Sequence, residues 1–233
     1  MRQIVQVFIS VALLSAGVFS DASARLSHVV EPTFQTITLK LLPDSSGYSG
    51  TTTIALDVRA KTDTFSFHAE DLTLLTIALN EYEEPIPTTL SFGRLGLTHV
   101  KLARPLEVGT TAHLAIAFSN DYDLRANGLY KNVVDGDGYL FTQFEATEAR
   151  EAFPCFDEPE FKFPYRLVVQ IPTEDLALSN TPIGSEVIDG ALKTVTFEST
   201  PPMPSYLLAL AVGAFDTVTV PDMAYPTRVV SVK

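Results

Sequence analysis

"TITLKLLPDSSGYSGTTTIALDVR", residues 36–59, decides the fold. Ile37, Leu39 and Leu41 alternate with Thr36, Thr38 and Lys40. Ile54, Leu56 and Val58 alternate with Thr53, Asp57 and Arg59, with Ala55 sitting between. A period of two sends one row of side chains to a core and the other to water, so each run reads as a half-buried strand. Pro43-Asp44-Ser45-Ser46-Gly47 lies between the runs and carries turn chemistry.

The alternation recurs along the chain. It appears at Phe65 and Phe67, at Leu114, Ile116 and Phe118, at Leu167, Val169 and Ile171, and at Val195 and Phe197. Asp135-Gly136-Asp137-Gly138 and Asp189-Gly190 add further turns. Between Ser27 and Val220 no run carries the 3.6-residue period and caps of a long helix. Many short strands at near-regular spacing predict an all-β, mainly antiparallel sandwich or barrel-like sheet. "YLLALAV", residues 206–212, is apolar on both faces and predicts a central strand covered on both sides. The pattern breaks over 221–226, and "TRVVSVK", residues 227–233, starts a new strand-like run.

Composition narrows the function classes. The chain has 233 residues, 46% hydrophobic, enough to bury a substantial core. Its net charge of −12 argues against nucleic acid and against an anionic membrane surface, since both want clustered Lys and Arg. Residues 1–24 read as a signal peptide. Arg2 gives a basic start, Ile4 to Phe19 an apolar run, and Ala22-Ser23-Ala24 a small-x-small cleavage site. Gln6, Ser10 and Ser15 interrupt the apolar run, which is short for a membrane span, so export to the periplasm or medium is expected rather than anchoring. The lone Cys155 has no internal partner, and Phe153, Pro154 and Phe156 around it predict burial.

Most catalytic signatures are absent from the sequence. The four histidines, His28, His68, His99 and His113, form no HExxH. His99 and His113 fall on the polar side of alternating strands. There is no GxSxG, glycine-rich phosphate loop or CxxC.

One stretch departs from the alternation: "LFTQFEATEAREAFPCFDEPEF", residues 140–161. Glu145, Glu148, Glu151, Asp157, Glu158 and Glu160 sit there among five phenylalanines. Alternation through Thr142-Gln143-Phe144-Glu145 sends Phe144 to the core and turns Gln143 and Glu145 together to the other side. Residues 146–153 form a helical turn or an irregular loop, and Asp157-Glu158-Pro159 forms a turn into the next strand. Taken by itself, the stretch is also compatible with an acidic surface hairpin.

"TQFEATEAREAFPCFDEPEFK", residues 142–162, resembles the signature of the N-terminal domain of the aminopeptidase N family of zinc metallopeptidases. "VEPTFQTITLKLLPDSSGYSGTTTIALDV", "NGLYKN" and "FESTPPMPSYLLALAVGAFD" resemble other segments of that domain, in the same order. The resemblance implies a saddle-shaped, mainly antiparallel β domain over residues 25–220 that caps a catalytic domain. It implies that Glu145 binds the substrate's free α-amino group and that Gln143 lines the pocket for the first side chain. The family's GxMEN and HExxH elements do not occur in this sequence. Zinc is therefore expected in a full-length enzyme and not on this chain, and residues 221–233 are expected to begin a linker or strand toward that missing catalytic part. The chain then reads as the first domain, or a truncated form, of an exported zinc aminopeptidase acting on peptide N-termini. The alternative from a different class is a stand-alone secreted β-sandwich module that binds peptides or a protein partner without catalysis.

Overall fold

The computed structural model describes residues 25–82, 84–222, 224 and 227–233. The expected signal peptide lies outside the described residues. The strands follow in chain order: β1 (Val30–Lys40), β2 (Gly47–Val58), β3 (Thr62–His68), β4 (Thr73–Glu81), β5 (Glu84–Ile86) and β6 (Thr88–Phe92). Next come β7 (Leu97–Leu106), β8 (Thr111–Asp121), β9 (Gly128–Val134) and β10 (Asp137–Gln143). A single helical turn, α1 (Ala149–Ala152), interrupts them. β11 (Tyr165–Pro172), β12 (Leu176–Ser179), β13 (Ile183–Asp189), β14 (Leu192–Phe197), β15 (Leu210–Gly213), β16 (Asp216–Val220) and β17 (Thr227–Ser231) complete the chain.

The strands form an eight-stranded sheet, β13-β14-β11-β1-β2-β8-β4-β5, with separate sheets β12-β15-β10-β9 and β3-β7-β6 and the ribbon β16-β17. The pairings are antiparallel, except that β1 and β11 run parallel. The domain is all-β and sandwich-like, as the alternation predicts.

Register explains the core. Ile37, Leu39, Ile54, Leu56, Leu114, Ile116, Phe118, Leu167, Val169, Val195 and Phe197 are all buried. Neighbouring strands therefore present their apolar rows to the same side of the large sheet. Phe65 and Phe67 on β3, with Val100 and Leu102 on β7, join the same buried cluster. The row also takes in a polar pair: the Gln35 Nε2 donates to Thr52 Oγ1 at 2.8 Å and to the Pro154 carbonyl at 2.9 Å. That second bond ties β1 to the 140–161 stretch.

Turn chemistry holds where it was expected. Asp135 and Gly136 join β9 to β10 with φ of 51° and 100°, the doubly positive pair that suits a two-residue hairpin. One expectation fails. Residues 206–212 are not one strand covered on both sides: Ser205–Leu207 is a 3-10 turn, and the strand begins only at Leu210. Leu207 is exposed while Leu208, Leu210 and Val212 are buried. Pro204 stands just before the turn in extended conformation, and its carbonyl accepts the Leu207 amide. The apolar run spans two elements, a 3-10 turn and a strand, rather than one period. Its strand is nonetheless internal, between β12 and β10.

Candidate functional site

The 140–161 stretch leaves β10, makes the α1 turn, and returns toward β11. Its apolar residues anchor it. Phe144, Phe153, Cys155, Phe156 and Phe161 are buried. Phe144 meets Phe153 edge-on at 5.7 Å, and Phe156 meets Phe161 edge-on at 5.5 Å. Cys155 exchanges backbone hydrogen bonds with His68, N to O at 3.0 Å and O to N at 2.8 Å. These clamp the stretch to the end of β3. Burial pushes the Cys155 thiol well up, so it is not poised as a nucleophile.

A buried polar centre fixes the bend. Arg150 and Asp157 are both buried. The Arg150 Nε donates to Asp157 Oδ2 at 3.0 Å, its Nη2 to the Asp157 carbonyl at 2.8 Å, and its Nη1 to the Leu95 carbonyl at 2.9 Å. Ser205 Oγ donates to Asp157 Oδ1, and the Asp157 amide donates to His68 Nδ1 at 3.2 Å. His68 extends the buried Phe65-Phe67 pattern out of phase, and only the fold brings it to Asp157. Burial, and then the Arg150 charge, hold the His68 imidazole down at about 3.

The six acids now have distinct surroundings. Asp157 is locked to Arg150. Glu148 Oε2 accepts the Thr147 amide at 2.9 Å. Glu151 accepts from Asn127 at 3.2 Å, and burial, reinforced by Glu70, Asp71, Glu148 and Asp123, raises its carboxyl. Glu158 accepts the Leu26 amide at 2.7 Å, and Glu160 faces Arg25 and His28. Glu145 differs. Its side chain is exposed, and among the described residues its carboxylate has no hydrogen-bond or ion-pair partner.

Gln143 ends β10 opposite Gly128 and is also exposed. Its Oε1 accepts the Glu145 amide at 3.2 Å, so the two predicted residues are neighbours on the surface while Phe144 between them points inward. The peptide bond after Glu145 is cis. Two shallow grooves, of about 400 and 520 Å³, lie elsewhere, along the large sheet, and neither is lined by Gln143 or Glu145. Among the described residues no three His, Cys, Asp or Glu side chains are grouped to hold a metal ion.

The family model of the Peptidase M1 N-terminal domain matches residues 31–207. The chain belongs to the Peptidase M1 N-terminal domain family. Aminopeptidase M1-D of Oryza sativa subsp. japonica is 34% identical over 202 residues, which cover 84% of this chain and 23% of that protein. The puromycin-sensitive aminopeptidase of Caenorhabditis elegans is 30% identical over 206 residues, 84% of this chain and 22% of that protein. Aminopeptidase N of Acetobacter pasteurianus is 31% identical over 207 residues, 86% of this chain and 57% of that protein. This M1 N-terminal domain thus spans about a quarter of the length of the plant and nematode relatives. The match covers β1 to the Ser205–Leu207 turn, and so contains the whole 140–161 stretch.

Proposed function

We propose that this domain supplies substrate recognition to an exported zinc aminopeptidase, with Glu145 binding the free α-amino group of a peptide and Gln143 bounding the site for its first side chain. The observation that carries this reading is the isolation of Glu145. Five of the six acids in the stretch are engaged with the domain itself, and the sixth is free to meet a cation. An exopeptidase must recognise a terminus, and a carboxylate opposite an ammonium makes a charge-assisted hydrogen bond. Excluded from water by a second domain, such a bond contributes about 1.5–3 kcal/mol. The Gln143 carbonyl oxygen, already oriented by the Glu145 amide, leaves its NH2 free to donate toward a peptide carbonyl.

Zinc is the metal of the family. In this reading the metal, and the polarisation of the scissile carbonyl that it would provide, belong to a catalytic domain facing Glu145. This chain's contribution is to hold the terminus in register. The second partner is therefore that catalytic domain, and residues 221–233 lead toward it.

The test uses an enzyme in which this domain is joined to its catalytic domain. Glu145→Ala is expected to raise KM for peptides with a free terminal amine roughly 10- to 100-fold. The preference for free over Nα-acetylated substrates should shrink in step. An unchanged KM removes Glu145 from the substrate site.

A further inference from the structure

The first described residues are held against the far end of the signature stretch. Leu26 is buried, and its amide donates to Glu158 Oε1 at 2.7 Å. The Arg25 guanidinium lies 3.9 Å from Glu160. His28 reaches Glu160 at 3.4 Å and Glu31 at 3.3 Å, and its ring lies 5.1 Å from that of the buried Phe161. Arg59 closes the far side on Glu31 at 2.8 Å. Burial, and then the nearby Glu160 carboxylate, raise the Glu158 carboxyl, while the Leu26 amide pulls it the other way. A carboxylate pair held this close gains from any added positive charge.

The expected cleavage after Ala24 creates that charge. Hydrolysis of the Ala24–Arg25 bond by a signal peptidase consumes one water, leaves a carboxylate on Ala24 and frees the Arg25 amine, which takes up a proton. That nitrogen is one residue from the Leu26 amide, hence within about 7 Å of the Glu158 carboxylate. Before cleavage the same atom is a neutral amide.

We propose that the Glu158–Phe161 turn is a docking site for the chain's own processed amino terminus, with Glu158 and Glu160 receiving the Arg25 ammonium. Leader removal then adds the last cation to the site and completes the seat of residues 25–28. The inference rests on processing at Ala24, which N-terminal sequencing of the exported protein checks separately.

The experiment makes residues 25–233 with a free Arg25 amine and follows that amine by NMR titration. It should titrate ~0.5 unit or more above the usual range of about 7.7–8.0. In Glu158→Gln/Glu160→Gln it should return to that range. Nα-acetylation of the unsubstituted protein, which needs no variant to fold, should lower Tm by about 1–3 °C at low salt, with the gap closing in 1 M NaCl. An amine that titrates in the usual range, or an acetylated protein as stable as the free one, overturns the proposal.

Discussion

The Arg150 guanidinium and the Asp157 carboxylate meet at 3.0 Å in the interior, and each carries further bonds: Arg150 to the Leu95 carbonyl, Asp157 from Ser205. The pair closes the loop between α1 and the 158–161 turn, so it fixes where the signature stretch bends. Removing one partner strands the other charge in a dry site. Asp157→Ala and Arg150→Met are each expected to cost about 3–5 kcal/mol in urea denaturation. The double variant should cost clearly less than the sum of the two, because neither charge is then left unpaired. Additive losses would mean that the pair is not coupled.

Cys155 is fully buried and hydrogen-bonded through its backbone to His68. Burial disfavours the thiolate, the reactive form. A thiol reagent such as DTNB should therefore modify the folded protein only at the rate of unfolding, and modify it promptly in 6 M guanidinium. Fast labelling of the native protein would place the thiol at the surface.

The large sheet was legible because its signal is local. The period of two at Ile37-Leu39-Leu41 and Ile54-Leu56-Val58 requires only that neighbouring strands share a buried face. The identity of the strand neighbours was not legible: β1 pairs in parallel with β11 across more than a hundred residues of chain, and nothing in either strand names the other. At the site, the inward Phe144 and outward Gln143 and Glu145 could be read from alternation and from the family resemblance. His68, Ser205 and Leu95 around Asp157 could not, since their closeness is a product of tertiary packing. The run at 206–212 misled for a related reason: apolar residues in a 3-10 turn and in a strand look alike when only composition is counted.

Gly138 tests the hairpin at the start of β10. A Cβ added there would lie 2.4 Å from the Pro43 carbonyl oxygen, a backbone atom that cannot swing aside. Gly138→Ala is expected to destabilise by about 1–3 kcal/mol through overpacking. Gly136→Ala meets no atom within 4 Å but imposes a side chain at φ of 100°. It should cost about 1 kcal/mol or more from backbone strain alone. Thermal melts against the unsubstituted protein check both: a Gly138→Ala melt as high as that of the unsubstituted protein would show that the Pro43 carbonyl leaves room for a methyl group, and an unchanged Gly136→Ala melt would show that position 136 carries no strain.

His68 gives the domain a defined response to acid. Its Nδ1 accepts the Asp157 amide, so the folded state holds the imidazole neutral, and burial with the Arg150 charge keeps its pKa at about 3. In the unfolded chain it titrates near the ordinary imidazole value of 6.5. Between those values the unfolded state binds the extra proton, so the contribution is fully present above pH 6.5 and is lost progressively as pH falls toward 3. The slope from this one group approaches about 1.4 kcal/mol per pH unit. Asp175 opposes it: burial, with Glu174 and Asp44 nearby, raises its carboxyl to about 6, so its ionised form weakens the fold above that pH and the penalty is relieved on acidification. Asp175→Asn should therefore stabilise at pH 7.5 and steepen the acid limb. His68→Gln keeps a side-chain acceptor for the Asp157 amide but cannot take up a proton. Its unfolding free energy, measured in urea from pH 7 down to pH 4, should fall less steeply than that of the unsubstituted protein. Parallel pH profiles for the two would show that His68 is not held neutral in the fold.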